Sequence, residues 1–180
     1  MSTPRLGRIV TEPALDHPDL LAAPTADALR AWDAAEEVGV VAIDPDLADT
    51  AALCEAYDLP LAASGNCVVV SGKRAGEERI AACVVRADTR ADVNSLVKRM
   101  LDVRKATFLP MERATEESGM EYGGITPLGL PATWRVLIDP SLLAQEVVVI
   151  GSGVRRSKLL VPGPLLATMP LAEPVADLGR

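Results

Sequence analysis

The 180 residues contain one histidine, three cysteines and only five aromatic side chains, two Trp, two Tyr and one Phe. Each scarcity removes some chemistry. His17 stands before Pro18 in a segment rich in proline and aspartate, so a histidine-based zinc site is excluded and a Ser-His-Asp triad would have to use that one residue. Aromatics at 3% exclude a nucleic-acid platform of stacked rings. Cys54, Cys67 and Cys83 lie far apart and form no CxxC, which points to reduced thiols serving as small core residues in a cytoplasmic protein. No apolar run approaches the ~20 residues of a membrane span. Residues 1–11 have no apolar stretch of the secretory kind, so no membrane partner is expected. Positive charge is also scarce. Eighteen Lys and Arg stand against twenty-five Asp and Glu, a net charge of −7. Nonspecific DNA binding is therefore disfavoured, although a local basic patch can still dock RNA.

Hydrophobic residues make up 49% of the chain and charged residues 24%, the composition of a folded globular domain. The chain reads as an irregular, proline-punctuated arm over residues 1–24, a single domain over 25–170 and a loosely ordered tail over 171–180. Helices are predicted over 25–35 with Thr25 as cap, over 50–57, over 91–102 and from Pro110 to Gly119. Strands are predicted over 38–43, 66–71, 79–86, 107–108, 134–138, 146–150 and 158–161. Residues 72–76 read as a turn between two strands. The segment 79–86 is apolar on both alternating faces, so it belongs in the middle of a sheet covered on both sides. Hairpins mixed with helical connections favour a mixed sheet with helices packed on it.

The most unusual stretch is Gly119-Met120-Glu121-Tyr122-Gly123-Gly124-Ile125-Thr126-Pro127-Leu128-Gly129-Leu130-Pro131. Its glycines permit close backbone approach and its prolines fix the path between them, so it can hold peptide groups rigidly toward a small guest. The run Gly-Gly-Ile-Thr-Pro-Leu-Gly-Leu-Pro, after a helix ending at Gly119 and before a strand at Val136, resembles the Gly-Gly-x-Ser/Thr-Pro-x-Gly signature of the YbaK/ProX family. These are aminoacyl-tRNA deacylases related to the editing domain inserted in bacterial prolyl-tRNA synthetase. The resemblance extends over about residues 35–170. It implies a mixed α+β fold with a partly barrel-like sheet and surrounding helices. It also implies hydrolysis, without a cofactor, of the ester joining a wrong, small amino acid to a tRNA 3′ end, with an aminoacyl-tRNA synthetase as a further partner. Gly123, Gly124, Thr126, Pro127 and Gly129 would shape the amino-acid pocket, and Gly151 and Gly153 its opposing wall.

One position departs from the family. Many catalytic members carry a lysine at the start of the first hairpin strand, where this chain has Asn66. Asparagine can orient an ester by hydrogen bonding but carries no cation. Hydrolysis would then rest on backbone N–H groups for the carbonyl oxygen and on the terminal ribose hydroxyl for the water. The alternative is a silent binding module that kept the pocket and lost hydrolysis. Arg155, Arg156 and Lys158 follow the Gly151–Gly153 loop and suit tRNA phosphates. The same loop is no dinucleotide fingerprint, because Arg156 occupies the third glycine position and a strand follows. Lys73 reads as a solvated turn residue, Glu112, Glu116, Glu117 and Glu121 as a soluble helix face, and Asp139 as the cap of a helical turn.

Overall fold

The two-sided apolar alternation of residues 79–86 becomes a central strand of the larger of two main sheets. The protein is described by a computed structural model covering residues 3–180. A small hairpin of β1 (Arg5–Leu6) and β2 (Ile9–Val10) precedes β3 (Glu12–Pro13), α1 (Ala23–Arg30), β4 (Gly39–Ala42) and α2 (Thr50–Tyr57). The long hairpin of β5 (Gly65–Arg74) and β6 (Glu77–Arg86) follows. A π-helical turn, Val93–Val97, runs into α3 (Lys98–Met100), and then come β7 (Ala106–Phe108) and α4 (Met111–Ser118). The chain closes with β8 (Arg135–Ile138), α5 (Pro140–Leu143), β9 (Val147–Gly151), β10 (Ser157–Pro162), a 3-10 turn at Gly163–Thr168 and β11 (Ala172–Pro174).

The larger sheet has the order β11-β8-β6-β5-β7, and the smaller has β3-β4-β10-β9. In the larger sheet β8 runs parallel to β6 and β11, while β5 is antiparallel to both its neighbours. The smaller sheet is antiparallel throughout. A single parallel bridge, Ser64 to Val149, brings the start of β5 against β9. The mixed α+β class is as the sequence implies. Its barrel-like character stops at that bridge, and no closed barrel forms among the described residues.

The inner face of β6, Ile80, Ala82 and Val84, packs with Val136, Val148, Ile150 and Leu159 between the sheets. The outer face, Ala81, Cys83 and Val85, is covered by Val97, Leu101 and Leu178. A third cluster sets Leu53, Cys54 and Leu59 against Val149 and Leu160 of the smaller sheet. Each fully buried aliphatic side chain contributes roughly 1.5–3 kcal/mol, so α2 is firmly seated on the smaller sheet. Burial in this setting pushes the Cys83 thiol up to about 12, which makes it an inert core residue.

Several boundaries differ from expectation. Helix α1 starts at Ala23 with no side-chain cap, because Pro24 fits its first turn, and Thr25 is buried instead of capping. The strand β5 runs to Arg74, leaving Ala75 and Gly76 (φ 51° and 82°) as a two-residue turn of the hairpin type. The helix predicted over 91–102 is a π turn and one short α segment, capped by the Asp92 carboxylate, which accepts from Ser95 N. The tail is not loose. β11 pairs with β8, and Arg180 exchanges backbone hydrogen bonds with Arg90. Asp139 does cap its helical turn, accepting from Ser141 N at 2.9 Å. Among the described residues no helix is long and apolar enough to cross a membrane.

Candidate active site

Where the start of β5 approaches β9, the N-terminus of α2 and the Gly/Pro segment close off a cleft of about 360 Å³. Asp49 and Thr50 come from the start of α2, Asn66 and Cys67 from β5, and Tyr122, Gly123 and Ile125 from the Gly/Pro segment. Gly151 of β9 and Lys158 of β10 complete the wall. Val149, Ile150 and Leu53 give it an apolar floor. His17 lines no part of it and instead pairs with Glu12 at 2.9 Å.

The Gly/Pro segment is locked to the loop after β9 by backbone hydrogen bonds. Gly153 N donates to Gly124 O at 2.8 Å, and Glu121 N donates to Gly153 O at 2.8 Å. The fit leaves no room for side chains. A Cβ at Gly124 would stand 2.7 Å from the backbone of Val154, and one at Gly151 would stand 2.6 Å from Gly124 O. Glycine is required at both positions by approach distance. At Gly153 the conformation, φ 87°, is a second reason beside the close approach of the Ala22 side chain.

Asn66 is held from the α2 side. Thr50 Oγ1 donates to Asn66 Oδ1 at 2.6 Å. The Asn66 amide nitrogen then keeps two N–H donors with no protein acceptor among the described residues, at the edge of the cleft. Cys67 lines the same wall, but burial pushes its thiol up, so it stays neutral and is a poor nucleophile.

The family of aminoacyl-tRNA editing domains matches residues 44–168. The chain belongs to that family. Solved structures agree on the fold of this editing domain. A candidate trans-editing enzyme for prolyl-tRNA synthetase superposes with a TM-score of 0.74 at 18% identity, covering 88% of this chain and 96% of its own. The hypothetical protein APE2540 gives 0.68 at 20% identity, over 78% of this chain and 90% of its own. A signal-transduction protein candidate from Marinobacter aquaeolei gives 0.53 at 14% identity, over 93% of this chain but 31% of its own. No curated protein sequence matches the chain significantly.

In this editing domain the residues singled out from the sequence divide by position. Gly123, Gly151 and Asn66 line the cleft. Gly124 and Gly153 lie behind it and form the interlock. Thr126 and Pro127 are buried further back, and Gly129 (φ 94°) packs on the backbone of Pro24 at the start of α1. The basic trio also divides. Arg156 is exposed and donates to Asp19 O. Arg155 braces the Gly/Pro segment: its guanidinium donates to Tyr122 O at 3.3 Å and Pro45 O at 3.0 Å, and lies 5.9 Å from the Tyr122 ring centre. Lys158 is only 7% exposed, and its Nζ donates to Ala48 O at 3.0 Å. Its side chain belongs to the cleft wall and not to the protein surface.

Sequence reasoning missed Asp49, Thr50 and Ile125 as cleft residues, and missed the inward position of Lys158. One signal for Lys158 was present, a lone cation inside the apolar strand Ser-Lys-Leu-Leu-Val. A larger cavity of about 790 Å³ adjoins the cleft at Asn66 and Val68, which line both spaces. Arg90, Asn94 and Phe108 are among its walls, and Phe108 is 65% exposed.

Proposed function

We propose that the cleft receives a small amino acid esterified to a tRNA 3′ end and hydrolyses that ester, acting in trans in the cytoplasm after a synthetase has mischarged the tRNA. The observation that carries this reading is the Asn66 amide, fixed by Thr50 at 2.6 Å with its N–H groups left over, in the same cleft as Gly123 and Gly151. The apolar floor of Leu53, Val149 and Ile150, with Ile125 beside it, suits a short aliphatic side chain. Asn66 orients the aminoacyl ester, and Gly123 and Gly151 let the peptide backbone approach it. Gly124, Gly153, Thr126, Pro127 and Gly129 hold that backbone in place. The terminal ribose hydroxyl positions the attacking water, so no histidine base is required.

The terminal adenosine has room in the larger cavity that adjoins the cleft at Asn66, where the exposed Phe108 ring offers one stacking face and Arg90 a cation for phosphate. Arg156, and at closer range Arg155, meet the backbone phosphates upstream. The test is incubation of the purified protein with a panel of tRNAs mischarged with small amino acids. The expected result is ester loss well above the buffer rate for at least one of them, and no acceleration on any of them would overturn the reading.

The silent-module alternative is favoured by one residue, Asn66 in place of the family lysine. An Asn66→Lys variant separates the two. Activity that appears only in the variant would mean that the parent is silent. A parent that hydrolyses and a variant that is slower would mean that Asn66 belongs to a working site.

A further inference from the structure

Lysine is almost never fully buried unless it is paired, because removing an ammonium from water costs several kcal/mol. Lys158 is buried, and among the described residues no carboxylate lies within ion-pair distance of it. Its single protein hydrogen bond, to Ala48 O at 3.0 Å, uses one of three N–H donors. A leucine or methionine would fill the same place in β10 at lower cost, so packing does not account for this residue.

The sheet register places its side chain. Lys158 is paired with Gly151 across β9, and directly opposite residues share a face. The side-chain direction of Gly151 is taken by the carbonyls of Gly124 and Ile125, 2.6 and 2.8 Å from where a Cβ would be. Lys158 and the Gly/Pro segment therefore lie side by side on one face. Leu160, two residues on, packs into the cluster under α2 on that same face. Asn66 lines the same cleft. Three consecutive residues join it to Lys158, since Ala48 O accepts from Lys158 and Thr50 Oγ1 donates to Asn66.

We propose that Lys158 supplies the cation that the family carries at the position of Asn66, so that its ammonium contacts the carbonyl oxygen of the aminoacyl ester from the β10 side of the cleft. This rests on the editing reading given above. Water adds to the ester carbon, and the ammonium donates a hydrogen bond to the oxygen as it becomes an oxyanion. The carbon–oxygen bond to the ribose then breaks. The ribose oxygen leaves with a proton that came from the water, and the amino acid leaves as a carboxylate with release of a second proton. Lys158 keeps its own proton throughout. Burial and the neighbouring Arg155 lower the affinity of Lys158 for that proton, while Asp49 and Cys54 on the α2 side oppose them, which makes the ammonium a stronger hydrogen-bond donor.

Two readouts decide the proposal. The first is single-turnover ester loss from mischarged tRNA, and the second is affinity for a non-hydrolysable 3′-aminoacylamino-adenosine. Lys158→Met is expected to lower the rate constant by about 100-fold, the size of one lost oxyanion donor, and to weaken analogue binding by roughly tenfold, with the melting temperature unchanged or raised. Rate and affinity both within threefold of wild type would overturn the proposal. A lower melting temperature with unchanged rate would also overturn it, because it would make Lys158 a tether to Ala48 only. Should the Met variant fail to fold, Lys158→Arg, which keeps the charge and the long stem, decides. At least a tenth of the wild-type rate supports the proposal, and a folded but inert Arg variant overturns it. If wild type binds the analogue without hydrolysing ester, the editing reading fails alone and the affinity of the Lys158→Met variant still judges the contact. If wild type does neither, both fail.

Discussion

The cations on the rim of the β5–β6 hairpin and the one in the adjoining cleft are held in opposite ways. At the turn end and along the adjoining sheet edge, guanidiniums are exposed or half-exposed and matched to carboxylates. Arg113 bridges Glu78 at 2.8 and 3.0 Å and also binds Glu117, and Arg79 reaches Asp102 at 3.1 Å. Arg135 grips Glu173 through two nitrogens. At the start of β5, Arg86 is likewise matched to Asp88, but Lys158 in the cleft wall is buried and given a carbonyl in place of a carboxylate. The difference teaches how to read charge in this fold. A cation neutralised by a carboxylate in contact with water contributes little to stability. A cation buried beside a cleft without a carboxylate keeps donors for a ligand.

Changes in the cleft should therefore cost activity, and changes on the paired rim should cost little of anything. The largest effect is expected at the interlock. Gly151→Ala forces a Cβ against Gly124 O and Ile125 O, so the Gly/Pro segment must move. The expected loss is about 1–3 kcal/mol of stability, read by denaturant unfolding, together with most of the deacylation. Wild-type stability and rate in the Gly151→Ala variant would mean that the wall need not be rigid.

Asn66→Ala comes next. It deletes the partner of Thr50 and the amide donor while leaving the apolar floor intact. A drop in deacylation of about tenfold is expected for one lost orienting hydrogen bond, with a stability cost of roughly 0.5–1.5 kcal/mol for the lost bond to Thr50. Equal rates for wild type and the Asn66→Ala variant would leave Lys158 and the backbone as the only polar groups that matter. Smaller still is Arg156→Ala. It should weaken tRNA binding alike for all amino acids and reduce the salt slope by about one, without changing hydrolysis of bound substrate.

The smallest effect is expected on the paired rim, with Glu173→Gln. The Arg135 guanidinium holds the Glu173 carboxyl below its ordinary range. The pair's contribution is present above the unfolded carboxyl value and fades as pH falls through the folded one. With solvent screening it amounts to less than about 1 kcal/mol at neutral pH. Melting curves of wild type and the Glu173→Gln variant should differ slightly at neutral pH and converge in acid, once the wild-type carboxyl is protonated. A difference that persists at low pH would point to packing. Any change in deacylation would break the contrast between rim and cleft.

Much of this was written in the residues. The alternation of residues 79–86 marked β6 as a two-sided strand, and Pro110 and Gly119 bracketed α4. The Gly/Pro run marked a rigid loop, and its Gly124 is locked to the loop after β9 while Gly123 and Ile125 line the cleft. What escaped has physical causes. The spacing of Val93, Leu96 and Val97 fits a π turn as well as an α-helix, since five residues do not separate the two periods. Strands of two or three residues, such as β1, β3 and β11, carry no measurable alternation and exist through their partners. Lys158 was grouped with Arg155 and Arg156 because the three are near neighbours in sequence. Once β10 forms, alternate residues turn to opposite faces, and Lys158 goes with Leu160 to the α2 side while Leu159 joins the core between the sheets.

The most direct measurement is a crystal structure of the protein with the non-hydrolysable 3′-aminoacylamino-adenosine bound. The aminoacyl group is expected between Gly123, Gly151 and Asn66, with its carbonyl oxygen about 3 Å from Lys158 Nζ. The adenosine is expected in the adjoining larger cavity, beside Phe108. An aminoacyl group seated elsewhere, with Lys158 still bound only to Ala48, would contradict the proposed contact.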